Sequence, residues 1–275
     1  MRILSFQLSI LLLTFISLVS CLPLDRTHSD KTLTPKDNWI KKDRLGYFYK
    51  LDDSRQLVKF DQTGQILQDY MHPVYGVISS WDVSDPYKIL VFYRAHQQLI
   101  LLDNTLNILS EIDLSNFGEG YVELITMSDD GNYWLYDSYA QTLIKVNDAL
   151  EIIEQSFPVY QETGSGFVPG FLTVNSNMIL LGDTGKGIME FDHLGNYNRM
   201  ISVQNFTFIA CGRSGIYYAN DIGFYQYHPI IFEGKQLMGL ERDTDYIYCF
   251  DPYKNELWLF EPDLLNFTVK TLEAK

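Results

Sequence analysis

The sequence predicts an all-β chain, a β-propeller of six four-stranded blades, and three observations carry that prediction. The stretch from Asn132 to Leu150 reads as a tight hairpin: an aromatic and aliphatic run ends at Asp137, a polar turn follows, and a second run stops at Asn147-Asp148. That form recurs, with the turn after the third strand of successive units at Asp61, Asp103, Asn147 and Asp192, steps of 42, 44 and 45 residues. Aromatic residues make up 15% of the chain, with 19 Tyr and 17 Phe, and flat side chains pack well on pleated surfaces and between sheets. Four short strands repeated about every forty residues form blades that bury their faces only against neighbours, while ring closure protects the edges. Five or seven blades are the alternative counts, and a two-sheet sandwich is the competing fold; it explains regular strand spacing but not the recurrence of one four-strand pattern.

Taken in order, residues 1–20 read as a secretory signal, because Arg2 is followed by an apolar run without another charge. The run ends at Leu18-Val19-Ser20-Cys21, which resembles the bacterial lipobox. The resemblance implies that Cys21 becomes the first mature residue and carries acyl chains, each buried methylene contributing about 0.8 kcal/mol to membrane anchoring. An ordinary signal peptide or an uncleaved anchor helix are the alternatives. Leu22 stands where the inner-membrane retention signal of some Gram-negative bacteria has Asp, so the expected address is the outer membrane, with its periplasmic or surface face left open. Residues 21–37 are polar, with Pro23 and Pro35, and suit a flexible tether. The propeller domain is expected over 38–275.

The first unit takes strands at 39–41, 47–52, 57–61 and 66–71, and the second at 77–80, 89–93, 98–102 and 108–114. The third takes 122–127, 133–136, 143–146 and 152–157, and the fourth 171–174, 178–181, 187–191 and 197–203. A shorter fifth unit uses 206–211, 216–219, 224–227 and 230–232, and a sixth uses 237–240, 246–250, 256–260 and 267–272. These units, with strands of the Leu57-Val58-Lys59-Phe60 or Leu143-Ile144-Lys145-Val146 type, resemble the YncE, NHL and SMP-30-like propeller group over residues 38–272. The resemblance implies the fold and fixes no activity. Trp81-Asp82 stands in a first strand without the Gly-His partner of a WD40 repeat.

Charge narrows the function. Lys and Arg number 21 against 35 Asp and Glu, so nothing releases phosphate counterions and nucleic acid is excluded as a partner. Carboxylates cluster at hairpin ends, at Asp52, Asp61, Asp103, Asp137, Asp183, Asp192 and Asp251, where such side chains bond the amides of tight turns. In the calcium lactonases of six-bladed architecture similar oxygens converge on the channel, which keeps calcium open as a cofactor, but their early Glu-Gly-Pro is represented only by Gly118-Glu119-Gly120. The segment 182–187, with three glycines, has neither the spacing nor the following helix of a phosphate loop. The histidines, at 28, 72, 96, 193 and 228, show no metal-ligand spacing. Cys211 and Cys249 lie in apolar runs, as buried hydrophobes or as a disulfide pair.

The candidate binding loop is the insertion 161–170, with Gly164, Gly166, Phe167 and Gly170, because long loops between repeats carry binding; a passive linker is the plainer reading. No catalytic or metal residue is assigned. The resulting expectation is an outer-membrane-anchored, non-catalytic propeller that docks on another envelope protein. A calcium-dependent lactonase-like enzyme or a glycan-binding protein using the channel is the alternative.

Overall fold

The computed structural model describes residues 39–272 apart from 53, 118–119, 165, 213–214, 229–232, 240–246 and 262–265, all within the compact unit Pro35–Lys275. The expectations for residues 1–37, Cys21 included, and for a strand at 230–232 lie outside the described residues.

The first blade is β1 (Trp39–Lys42), β2 (Phe48–Leu51), β3 (Leu57–Phe60) and β4 (Ile66–Tyr70). The second is β5 (Ser80–Asp82), β6 (Ile89–Tyr93), β7 (Gln98–Leu102) and β8 (Ile108–Asp113). The third is β9 (Val122–Met127), β10 (Tyr133–Asp137), β11 (Thr142–Val146) and β12 (Ile152–Gln155). The fourth, β13 (Phe171–Val174), β14 (Met178–Asp183), β15 (Gly187–Asp192) and β16 (Tyr197–Ile201), follows a one-turn helix, α1 (Tyr160–Thr163). The fifth is β17 (Phe206–Gly212), β18 (Gly215–Asn220), β19 (Gly223–His228) and β20 (Glu233–Gly239). The last described strands are β21 (Ile247–Asp251), β22 (Glu256–Phe260) and β23 (Phe267–Thr271).

The second to fifth blades are separate antiparallel four-stranded sheets, whereas the first and last share one seven-stranded sheet. They share it through β1, whose Lys41 and Lys42 pair antiparallel with β2 while Trp39 and Ile40 pair parallel with β21. One short strand therefore joins the two ends of the ring. Its hold is strengthened by Lys42, whose Nζ lies 2.9 Å from Asp251 Oδ2 and 4.5 Å from the centre of the Trp258 ring.

Six hydrophobic clusters among the described residues lie between successive blades. Tyr49 and Leu57 meet Ile89 and Val91; Leu90 and Leu99 meet Ile125 and Leu135; Trp134 and Leu143 meet Ile179 and Met189. Leu180 and Ile188 meet Phe206 and Tyr218; Tyr217 and Phe224 meet Phe250 and Leu257; Phe48 and Phe60 meet Trp258 and Phe260. Six junctions in a closed order settle the count at six rather than five or seven. This layout also explains the local pattern. The second strand of a blade is covered on both faces, so β6 and β10 are buried along their whole length and read as unbroken apolar runs.

The repeated turn has a single geometry. Asp61, Asp103, Asn147 and Asp192 each accept two backbone amides within their own turn. The fourth turn residue, Gly64, Leu106, Leu150 or Gly195, has positive φ, and the ladder shifts register beside it. That is a type I turn closed by a left-handed bulge residue, which matches the twist of the flanking strands.

Two expectations need correction. Residues 237–239 do not open the sixth unit but belong to β20, which pairs along β19 as the outer strand of the fifth blade. An outer strand has one solvated face, so the polar Glu233-Gly-Lys-Gln segment serves there without an apolar pattern to announce it. The first strand of the second blade is Ser80–Asp82 rather than 77–80, and Val77 is exposed. Cys211 and Cys249 are unpaired, and burial pushes both thiols well above the usual range.

Candidate functional site

Strands alternate direction within each blade, so in the first five blades the blade-to-blade connections and the turns between second and third strands share one face, the connector face. Hydrogen bonds tie these segments together there: Ser138 N donates to Tyr121 O at 2.9 Å, Val159 N to Gln141 O at 2.7 Å, and Asn205 N to Thr184 O at 2.8 Å.

The connector face carries large apolar side chains directed at solvent. Val74 and Val77 come from the first connection, Tyr139 from a turn of the third blade, and Phe157, Tyr160 and Val168 from the connection to the fourth. Their exposure reaches 68% at Val74, 73% at Val168, 75% at Phe157 and 77% at Tyr139, values that packing within the chain does not explain. The loops presenting them are pinned. His72 stacks on Tyr75 with ring centroids 4.0 Å apart, Tyr75 Oη donates to Glu111 Oε2 at 3.2 Å, and His72 Nδ1 accepts the Val74 amide at 3.3 Å.

Of the sequence-predicted loop residues, Phe167 is buried in the cluster between the third and fourth blades together with Val159. It anchors the loop from beneath. Gly164 and Gly166 have positive φ, and exposed Gly170 donates its amide to Gly182 O at 2.9 Å. Val168 N reaches Asp183 Oδ2 at 2.7 Å. The large side chains that this connection turns outward are those of the neighbours Phe157, Tyr160 and Val168.

The hairpin carboxylates act as staples. Asp137 and Asp183 each accept two amides of the turns they begin, and Asp251 does the same while its second oxygen holds Lys42. The Asp137 carboxylate packs so closely on Gly120 that a Cβ there would lie 2.0 Å from it. Among the described residues no three His, Cys, Asp or Glu side chains are grouped to hold a metal ion.

A second polar site, missed in the sequence, lies where β1, β5 and β9 line the channel. Lys41 Nζ donates to the Trp81 carbonyl and lies 4.7 Å over the Trp81 ring. Asp82 Oδ2 accepts Thr126 Oγ1 at 2.6 Å and Met127 N at 3.1 Å, and Oδ1 accepts Ser84 N at 2.8 Å. Lys41 keeps solvent contact although protein surrounds it, and that enclosure pushes its ammonium below the usual lysine range, with Asp82 opposing. For Asp82, burial works against the charge, but Lys41 and the three hydrogen bonds outweigh it and hold the carboxyl below its usual range. The only sequence signal was polar residues in two short first strands.

A depressed carboxyl stabilises the fold above its unfolded value of about 3.9, and that contribution is lost as pH falls through the folded value. Asp103, bonded to Asn107 and Thr105, sits at about 2, as does Asp130, where Lys145 and Asn132 outweigh burial. The melting temperature is therefore expected to hold from pH 7 to 5 and to fall below about pH 4. Asp82→Asn should melt lower at pH 7 and lose less on acidification. A parallel acid limb in wild type and variant, measured by circular dichroism, would remove this role from Asp82.

No protein-family model matches the chain, and no curated protein matches it. Solved structures do match. Streptogramin B lyase aligns at TM-score 0.57 and 12% identity, covering 86% of this chain and 83% of that one. The fold is a β-propeller. A catalytically inactive virginiamycin B lyase from Staphylococcus aureus with quinupristin aligns at TM-score 0.57 and 13% identity, covering 86% of this propeller and 84% of the lyase. The Pan2 WD40 domain of Neurospora crassa aligns at TM-score 0.53 and 10% identity, covering 84% and 73%. At such identities the likeness concerns the fold alone.

Proposed function

We propose that this propeller is a lipid-anchored, non-catalytic docking subunit of the cell envelope, binding an outer-membrane or other envelope protein through the apolar crescent of its connector face. The observation that carries the reading is that crescent: valines, tyrosines and a phenylalanine, highly exposed on hydrogen-bonded loops at one face. Aromatic residues are enriched at protein interfaces, and pinned loops lose little freedom on binding. The acidic composition opposes adhesion to anionic lipid, which favours a protein over a bilayer as the occupant. The envelope address rests on the lipobox resemblance at Leu18-Val19-Ser20-Cys21.

The test is a mild crosslink in intact cells followed by purification through a C-terminal tag. One envelope protein in stoichiometric amount is the expected result. Recovery of the chain alone contradicts the proposal and turns attention to calcium binding and to lactone or glycan substrates.

A further inference from the structure

On the face opposite the crescent, the loops after β1, β5 and β9 enclose a pocket of about 250 Å³ lined by Arg44, Ser84, Asp85, Tyr87, Ser128 and Asp129 among others. We propose that it binds a small zwitterion, a free amino acid or a molecule of that size, with Arg44 taking the carboxylate and Asp85 with Asp129 taking the ammonium group.

The groups present are incompletely used by the protein itself. The described contacts of the Arg44 guanidinium engage only Nη2, at 3.0 Å from Tyr253 Oη and 3.5 Å from Asp129 Oδ1. The second contact is long and single-pointed, unlike the 2.6 Å pair of Lys145 with Asp130. The Nε and Nη1 groups donate to no protein oxygen among the described residues, and charged N–H donors of this kind suit a carboxylate. Asp85 Oδ1 accepts the Tyr87 amide at 2.9 Å, while Oδ2 has no bond among the described residues. Asp129 Oδ2 is held by Ser176 at 2.6 Å, which fixes the carboxylate and leaves Oδ1 turned to Arg44.

Charge and size choose the ligand class. A simple anion meets two carboxylates, and a divalent cation meets the guanidinium, whereas a zwitterion presents both signs. The volume lies below the roughly 300–1,000 Å³ of pockets for drug-sized ligands. Exposed Tyr87 beside buried Pro86 supplies an apolar wall for a side chain. Asp82 fixes the rim by bonding the amides of Ser84 and Met127, so the pocket exists before the ligand arrives.

The test is calorimetric titration of the detergent-solubilised full chain with glycine, leucine, phenylalanine and glutamate, beside acetate, methylamine and calcium chloride alone. At least one amino acid is expected to bind with a millimolar or tighter constant, with acetate and methylamine at least about tenfold weaker. Arg44→Gln and Asp85→Asn should each weaken that binding about tenfold or more with an unchanged near-ultraviolet circular dichroism spectrum. Should Arg44→Gln unfold the chain, Asp85→Asn alone decides, because its unbonded oxygen supports no other contact among the described residues. The proposal is overturned if no amino acid binds, if calcium or acetate alone binds as well, or if binding survives in the folded variants.

Discussion

Phe48→Ala is expected to destabilise the propeller by about 3–5 kcal/mol, the usual cost of emptying a buried aromatic site. Phe48 is fully buried, with its ring centroid 5.0 Å from Phe260, 5.2 Å from Trp258 and 5.7 Å from Phe60. The contacts with Phe260 and Trp258 join the first blade to the last. Every other junction lies between sheets that follow directly in sequence, whereas this one is made by opposite ends of the folded domain. Its loss should therefore open the ring as well as leave a cavity. Because domains of this kind are stable by only about 5–15 kcal/mol, the variant is expected to unfold at markedly lower urea, with an early phase from the terminal blades. Ile108→Ala, on the solvated outer strand of the second blade, is the control and should shift stability by less than about 0.5 kcal/mol. A Phe48→Ala midpoint close to that of the control would mean that closure contributes little.

Most of the fold was legible because the physics was local. Turns such as Asp103-Asn-Thr-Leu106 satisfy their own amides, and strands such as Ile89–Tyr93 are apolar throughout because they are covered on both sides. What was not legible depends on closure. Nothing in Trp39-Ile-Lys-Lys42 announces that half of the strand pairs with residues more than two hundred positions away. The polar β20 gave no period to read, so the boundary between the fifth and sixth units fell inside it. Phe167 stands in a glycine-rich loop that reads as available for binding, yet its apolar ring, preceded by the positive-φ glycines Gly164 and Gly166, turns inward into the junction between the third and fourth blades. Lys41 and Asp82 come together only because first strands of adjacent blades meet at the channel.

Phe157→Asp combined with Val168→Asp is expected to abolish partner binding while leaving stability nearly unchanged. Both side chains are about three-quarters exposed, so a carboxylate at either position stays hydrated in the free protein. At an interface the same carboxylates would be stripped of water without a partner. Loss of a central aromatic contact such as that of Phe157 typically costs about 2 kcal/mol or more, roughly thirtyfold in binding, and the two desolvated carboxylates add to that loss. Asp at Leu109 and Ile153, exposed apolar positions on outer strands away from the crescent, should leave binding intact. The deciding measurement is the amount of crosslinked partner recovered with wild type, the crescent pair and the outer-strand pair at equal expression. The account predicts partner with the first and third and none with the second; equal recovery from all three, or loss only with the outer-strand pair, would contradict it.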